Sequence, residues 1–182
     1  MSLSAPPQAH WPEGVPQHAD LCGAALFARL ASCAAATPSR CAIEASGTTY
    51  GELLDASKML AGYMQQRLGV RRGASVLLSL DPSPQRTVAV FAIARCAARF
   101  VAFGAGSASG DIASDAVRSG ARTAIVASAS LSGIAPLLDN GTLYGCIVCG
   151  SAPMRPGLHD FAGAISAGIA PLPLTHPLEP LE

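Results

Sequence analysis

A glycine-rich segment, Gly104–Gly110, has the residue types of a loop that binds a dinucleotide. It reads Gly-Ala-Gly-Ser-Ala-Ser-Gly and stands between a predicted strand and a predicted helix. Glycines at such a place let the backbone approach a pyrophosphate at a helix N-terminus. However, Ser109 occupies the third glycine position, and the next predicted strand ends at Ala127–Ser128 without an acidic residue for a ribose. The pattern therefore favours a plain Gly/Ser connection and keeps a small nucleotide-binding protein as an alternative hypothesis.

Two of the six cysteines, Cys146 and Cys149, have the C-x-x-C spacing of metal and redox sites. A zinc site needs two more ligands, and the sequence has no second pair of this kind. In a strand, side chains three positions apart point to opposite faces, so the two thiols would diverge. A redox pair needs its first cysteine at a helix N-terminus, whereas these residues lie in an apolar run. We therefore expect reduced, buried thiols that pack as small apolar side chains.

The four histidines lie in the proline-rich beginning and end of the chain, as His10, His18, His159 and His176. The neighbours His159 and Asp160 could act as a base and its orienting acid for a serine nucleophile. No G-x-S-x-G turn accompanies them, however. We interpret the four histidines as exposed side chains without a catalytic role.

Asp111 and Asp115 stand one helical turn apart. A solvated helix start explains them better than metal binding does, because no further ligand accompanies them. The residue patterns therefore predict no catalytic residue, no cofactor-binding residue and no metal ligand for this chain alone.

The elements that must position these residues alternate along the chain. Short apolar runs predict strands, and apolar residues at helical spacing predict helices between them. The predicted strands are 41–44, 76–80, 100–103, 123–127 and 143–149, and the predicted helices are 21–36, 49–68, 83–97, 111–118, 131–138 and 158–165. This alternation indicates an α/β fold with βαβ units, a mostly parallel β-sheet and helices on both faces.

Two helix starts have clear capping signals. Thr49 and Glu52 have the spacing of a capping box, in which each side chain bonds the backbone N–H of the other residue. Ser83 is a good N-cap, and Pro84 follows at the first helical position, where its missing N–H costs nothing. Gly69 is expected to end the first of these helices.

Composition divides the chain into three parts. Residues 1–20 contain four prolines and are expected to form a flexible tail. Residues 21–150 hold the predicted α/β subdomain. Residues 151–182 form a Pro/Gly-rich C-terminal extension, whose end we expect to be extended and mobile because Pro171, Pro173, Pro177 and Pro180 follow closely.

The charge and hydropathy of the chain exclude some classes of partner. The net charge is zero, with Arg71–Arg72 as the one basic doublet, so we expect no nucleic-acid binding. The longest apolar stretch, 88–103, contains Arg95 and Arg99 and is too short to span a bilayer. No targeting signal is visible, so we expect a cytoplasmic location. Charged residues are only 13%, about half of the usual ~25%, which favours an apolar surface covered by a partner.

Several short motifs follow one another in order between residues 26 and 150. They include Thr-Tyr-Gly-Glu-Leu-Leu at 49–54, the turn Leu-Gly-Val-Arg-Arg-Gly at 68–73, and the run 88–93. In this order the segment resembles the first part of the AMP-forming acyl-CoA synthetases, the adenylate-forming ligases that include long-chain-fatty-acid–CoA ligases. One departure is Gly73-Ala74-Ser75-Val76, where the family usually has Gly-Asp-x-Val.

The resemblance implies a scaffold that helps to wall an acyl pocket in a ligase using ATP, magnesium and CoA. The family's own chemistry uses a Ser/Thr/Gly-rich loop ending in lysine, an aromatic-Thr-Glu motif, a ribose-binding Asp and a distant lysine, and none of these has a counterpart here. We therefore expect no cofactor for this chain alone and no acyl adenylation by it. One alternative is half of a split ligase or a partner-binding module, whose apolar face would meet the rest of a ligase or a second copy of the chain. The other alternative is the small nucleotide-binding protein described above.

Overall fold

A five-stranded parallel sheet forms the centre of the computed structural model, which describes residues 23–104, 107, 109–151 and 155–173. The strands are β3 (Ser75–Ser79), β4 (Arg99–Ala102), β5 (Thr123–Ala127), β6 (Gly145–Cys149) and β7 (Leu158–Asp160). Their spatial order is β4-β3-β5-β6-β7, and every neighbouring pair is parallel. The predicted α/β class with a mostly parallel sheet is confirmed.

Six helices connect or flank the strands within the described residues. They are α1 (Gly23–Ala36), α2 (Tyr50–Arg67), α3 (Pro84–Arg95), α4 (Ser109–Ser119), α5 (Leu131–Asp139) and α6 (Phe161–Ser166). A small antiparallel hairpin, β1 (Cys41–Ile43) with β2 (Thr48–Thr49), lies outside the central sheet and leads into α2. None of the described helices combines the length and the apolar character that a membrane crossing needs.

Local signals set the helix ends. The Thr49 hydroxyl accepts from the Glu52 N–H at 3.3 Å, and the Thr49 N–H donates to the Glu52 carboxylate at 2.8 Å. Ser83 caps α3 by accepting from the Arg86 N–H at 3.2 Å, with Pro84 as the first helical residue. Gly69 takes a φ of +66° just beyond the end of α2, a conformation that glycine adopts without strain. The predicted caps and helix stop are confirmed.

The helices cover both faces of the sheet because successive strand residues point to opposite sides. Val76, Leu78 and Ile125 face a core layer that contains α1, α2, α3 and α6. Leu77 and Val126 face a second layer, which contains α4 and α5. The central strands β3, β5 and β6 are buried almost throughout, as a parallel sheet between two helical layers requires.

The segment after residue 150 differs from the sequence-based expectation. A helix predicted over 158–165 is wrong in its first three residues, which form β7 and extend the sheet beside β6. The helix α6 starts only at Phe161, where the Asp160 carboxylate accepts from the Gly163 N–H at 2.6 Å. The sheet thus continues past the predicted boundary at residue 150, and the division into three parts stays a prediction. The tail at 1–20, together with Pro177 and Pro180, lies outside the described residues.

Candidate functional site

The crevice at the carboxyl ends of β3 and β5 is the candidate functional site. From β3 the chain passes through α3 to β4 on one side of the sheet, and from β5 it passes through α5 to β6 on the other side. Two neighbouring strands whose connections leave in opposite directions open a gap between them, and open α/β sheets bind their ligands there. We refer to this place as the switch crevice.

Serine hydroxyls occupy the floor of the switch crevice. Ser79 ends β3 and Ser130 precedes α5, and their Oγ atoms are 3.1 Å apart in a buried hydrogen bond. Ser128 lies just after β5, and its Oγ would be 3.1 Å from a Cβ at position 150. Gly150 has a φ of +103° as well, so only glycine suits this close approach. The Ser79–Ser130 hydrogen bond joins the end of β3 to the start of α5.

A shallow groove beside the crevice runs along the first turns of α3. It is lined by Pro82, Ser83, Arg86, Thr87, Val90 and Phe91. These residues offer hydroxyls, one guanidinium and an apolar wall. Such a set can bind and orient an acid substrate or its apolar part. These residues do not include a nucleophile paired with a base, so the groove by itself offers binding and no covalent catalysis.

Only part of the predicted dinucleotide loop is described. Gly104 comes after Phe103, the residue that follows β4, and its carbonyl accepts from the Ser107 N–H at 3.0 Å, while 105, 106 and 108 lie outside the described residues. The loop therefore follows the strand next to β3 and not one of the two strands that form the switch crevice. The small nucleotide-binding protein stays a prediction.

Cys146 and Cys149 point to opposite faces of β6. Cys146 is buried in the layer with α4 and α5, whereas Cys149 packs against the layer with α1, α2, α3 and α6. Burial raises the pKa of each thiol to about 12. The two thiols diverge as predicted, and the described residues contain no cluster of three or more potential metal ligands.

Sequence reasoning missed the surroundings of His159. Its Nδ1 lies 2.8 Å from the hydroxyl oxygen of Tyr63 in α2, and the two rings meet edge to face with centroids 5.6 Å apart. The side chain is half-buried, and burial lowers the pKa of the imidazole below its usual value. The prediction of an exposed histidine is wrong here, because β7 places this residue against α2. His10, His18 and His176 lie outside the described residues.

The acidic candidates have structural partners. Asp160 caps α6, as described above, and so is engaged by a backbone N–H. Asp115 pairs with Arg118 one turn along α4, and Asp111 lies in the first turn of that helix. A carboxylate in the first turn interacts favourably with the helix dipole, so the interpretation of Asp111 as part of a helix start fits this geometry.

A family model for AMP-binding enzymes matches residues 30–167. The fold also matches solved structures. A benzoate CoA ligase from Burkholderia xenovorans is 26% identical, with a TM-score of 0.66, over 80% of this chain and 28% of that one. A long-chain-fatty-acid-CoA ligase from Archaeoglobus fulgidus is 20% identical, with a TM-score of 0.66, and the match covers 79% of this chain and 30% of that one.

A third match is the luciferase-like enzyme from the nonluminescent mealworm Zophobas morio. It is 20% identical, with a TM-score of 0.64, over 87% of this chain and 36% of that one. A comparison with curated protein sequences returns no significant match. The chain spans between 28% and 36% of the length of the three structures that it matches.

Proposed function

This chain belongs to the AMP-binding enzyme family, and from that premise we propose that it supplies framework for an AMP-forming acyl-CoA ligase without forming an acyl adenylate itself. In this proposal the sheet and its helices hold one wall of the site for a carboxylic acid substrate. The switch crevice and the groove along α3 are the surfaces that face that site. ATP, magnesium and CoA would be bound by other parts of a ligase.

The position of the only lysine in the sequence supports this proposal most directly. Lys58 lies within α2, and its Nζ is 3.8 Å from the Asp55 carboxylate on the helix surface. The resemblance calls for a lysine at the end of a Ser/Thr/Gly-rich loop, where its charge would meet the phosphates of ATP. A lysine one turn from its acidic partner on an exposed helix face is a surface ion pair, which contributes little beyond solubility.

An adenylation assay on the full chain tests the proposal. The chain is incubated with ATP, magnesium and either benzoate or a long-chain fatty acid, and pyrophosphate release and acyl-hydroxamate formation are measured. We expect both to stay at the level of a reaction without protein. A complete acyl-CoA ligase serves as the positive control, and circular dichroism checks that the chain is folded. Carboxylate-dependent release of pyrophosphate by the chain alone would refute the proposal.

A second candidate function, binding of a further protein chain, is favoured by an apolar patch beside β4. The patch is lined by Leu26, Val90 and Phe100 over the buried Ala94, with Arg99 beside them, and the Phe100 side chain is 47% exposed. Beside it β4 is an outer strand of the sheet, and among the described residues no strand pairs with its outward edge, which another strand could therefore extend. A partner carrying the rest of a ligase, or a second copy, could cover this patch and extend the sheet.

Sedimentation of the chain over a range of concentrations tests this candidate for self-association. We expect concentration-dependent association that the change Phe100→Ser weakens. Val117→Ser is the matched control, because Val117 is also exposed, at 74%, but lies on α4, which covers the other face of the sheet from Leu26 and Val90. A monomer at every concentration, together with no binding to a separately produced remainder of a ligase, would count against partner binding.

The hypothesis of a small nucleotide-binding protein depends on Gly104–Gly110 alone. Calorimetric titration of the full chain with NAD and with ATP is its test. Saturable binding that a bulky substitution such as Gly104→Val removes would support it, and flat titrations would exclude it.

A further inference from the structure

We propose that α2 and the end of α3 form a docking groove that binds an extended segment through its backbone, and that residues 169–173 occupy this groove as a releasable latch. The groove consists of Gly62, Gln65 and Gln66 on α2 and Arg95 on α3. The latch is the stretch Ile-Ala-Pro-Leu-Pro at 169–173.

Three hydrogen bonds join the groove to the latch, and each one reaches a backbone atom. Gln66 Nε2 donates to the Ala170 carbonyl at 2.7 Å, and the Leu172 N–H donates to Gln65 Oε1 at 2.7 Å. Arg95 Nη2 donates to the Leu172 carbonyl at 3.0 Å. These contacts recognise the path of the main chain, so they do not depend on the side chains of the latch.

Gly62 allows the latch to lie directly on α2. A Cβ at this position would be 1.9 Å from the Ile169 carbonyl oxygen and 2.7 Å from the carbonyl carbons of Ile169 and Ala170. Glycine inside a helix makes the helix less stable than alanine would. The close approach of the latch backbone explains why this helix carries that cost.

The two prolines leave one backbone donor in the second half of the latch, 171–173. Pro171 and Pro173 have no N–H, so Leu172 carries the only N–H of residues 171–173, and Gln65 accepts it. Each proline also fixes its φ near the value of an extended chain, so less conformational entropy is lost on docking. The second half of the latch is thus pre-organised to present its one N–H to Gln65.

The latch is bound on the surface and is not part of the buried core. Ala170, Leu172 and Pro173 are exposed, with Leu172 at 37%. Arg95 stacks over Phe27 at 5.7 Å, and its Nη1 is buried without an acceptor among the described residues. The groove therefore offers one donor more than the latch uses. Polar contacts to an exposed segment can open while the sheet stays folded.

The change Gly62→Ala in the full chain tests the docking, because the added methyl group would push the latch off α2. We expect a broad-specificity protease to cleave the bonds between Ala167 and Ala170 about tenfold faster, while amide exchange in β3 and β5 stays as slow as before. Gly110→Ala is the matched control, since Gly110 is also helical but a Cβ there meets nothing within 4 Å. Unchanged cleavage in Gly62→Ala would overturn the proposal, and so would a loss of protection throughout the sheet, because the latch would then be part of the core.

The pair Leu172→Pro and Leu172→Ala tests recognition of the backbone. Leu172→Pro removes the N–H that Gln65 accepts, whereas Leu172→Ala keeps it. We expect cleavage between Ala167 and Ala170 to rise in Leu172→Pro and to stay near the original rate in Leu172→Ala. Equal rates in the two variants would overturn recognition through the backbone: equally raised rates would mean that the groove recognises the leucine side chain, and equally unchanged rates would mean that the Leu172 N–H does not hold the latch.

Discussion

His159 packs between α2 and β6. Its Nδ1 bonds the Tyr63 hydroxyl at 2.8 Å, and its Nε2 would lie 3.5 Å from a Cβ at Gly145. Partial burial disfavours the imidazolium, which is why the pKa of His159 falls below its usual value. A single side chain therefore links the last strand of the sheet to the longest described helix.

We expect the free energy of unfolding to fall as the pH is lowered through the usual titration range of histidine. The unfolded state then binds a proton before the folded state does, because the folded pKa of His159 is depressed. Urea titrations at about pH 5 and about pH 8 measure the difference, with His159→Asn as the comparison. A variant that keeps the full pH dependence of the original chain would contradict this assignment.

The helix α2 shows how far neighbouring residues determine an element. Its start is set by Thr49 and Glu52, three positions apart, and its end by Gly69, so both ends could be predicted from the sequence. The Glu52 pKa is lowered first by the backbone hydrogen bond at Thr49 and then by the Thr49 hydroxyl. The groove on its surface could not be predicted, because its occupant lies about a hundred residues further along the chain, as in the pair Gln66 and Ala170 with a separation of 104. An internal glycine, Gly62, was the one signal of a close approach.

Replacing Thr49 with alanine should destabilise the chain by about 1 kcal/mol, the usual effect of losing an N-cap side chain. The hydroxyl that accepts from the Glu52 N–H at 3.3 Å is removed, and the helix start keeps an unpaired donor. Thr49→Ser preserves the hydroxyl and should stay within a few tenths of a kcal/mol. Chemical denaturation followed by circular dichroism measures both, and equal stability of the two variants would argue against the capping box.

At the scale of the whole molecule, the sheet separates two apolar layers, and buried cysteines lie in both. Cys96 and Cys149 belong to the layer with α1, α2, α3 and α6, whereas Cys146 belongs to the layer with α4 and α5. Cys41 is exposed in the hairpin beside α2. The reactivity of Cys96, Cys146 and Cys149 therefore depends on the intact packing of these layers, whereas that of Cys41 does not.

Alkylation at about pH 8 should modify Cys41 and leave Cys96, Cys146 and Cys149 unmodified until denaturant is added. Burial raises the pKa of each of these three thiols to about 12, and the thiolate is the reactive form. Peptide mass mapping identifies the modified residues. Diamide should form no disulfide between Cys146 and Cys149, and such a bond would contradict their placement on opposite faces of β6.

The sequence by itself determined the features that depend on residues close together in the chain. Helix caps, turn glycines and the alternation of apolar residues predicted most of the helices and the strands β3 to β6, with β5 correct at Thr123–Ala127. These features are local because a cap or a strand period needs only a few neighbouring residues. They sufficed for the fold class and for the resemblance that the family match confirms.

Only the tertiary structure decided which distant residues meet. Strand order placed Ser79 beside Ser130 across a separation of 51 residues and formed the switch crevice. The pairing of β7 with β6 brought His159 to Tyr63 across 96 residues, and the latch returned to α2 in the same manner. Contacts of this kind depend on how the two layers pack on the sheet, and no local pattern in one segment specifies its partner in another.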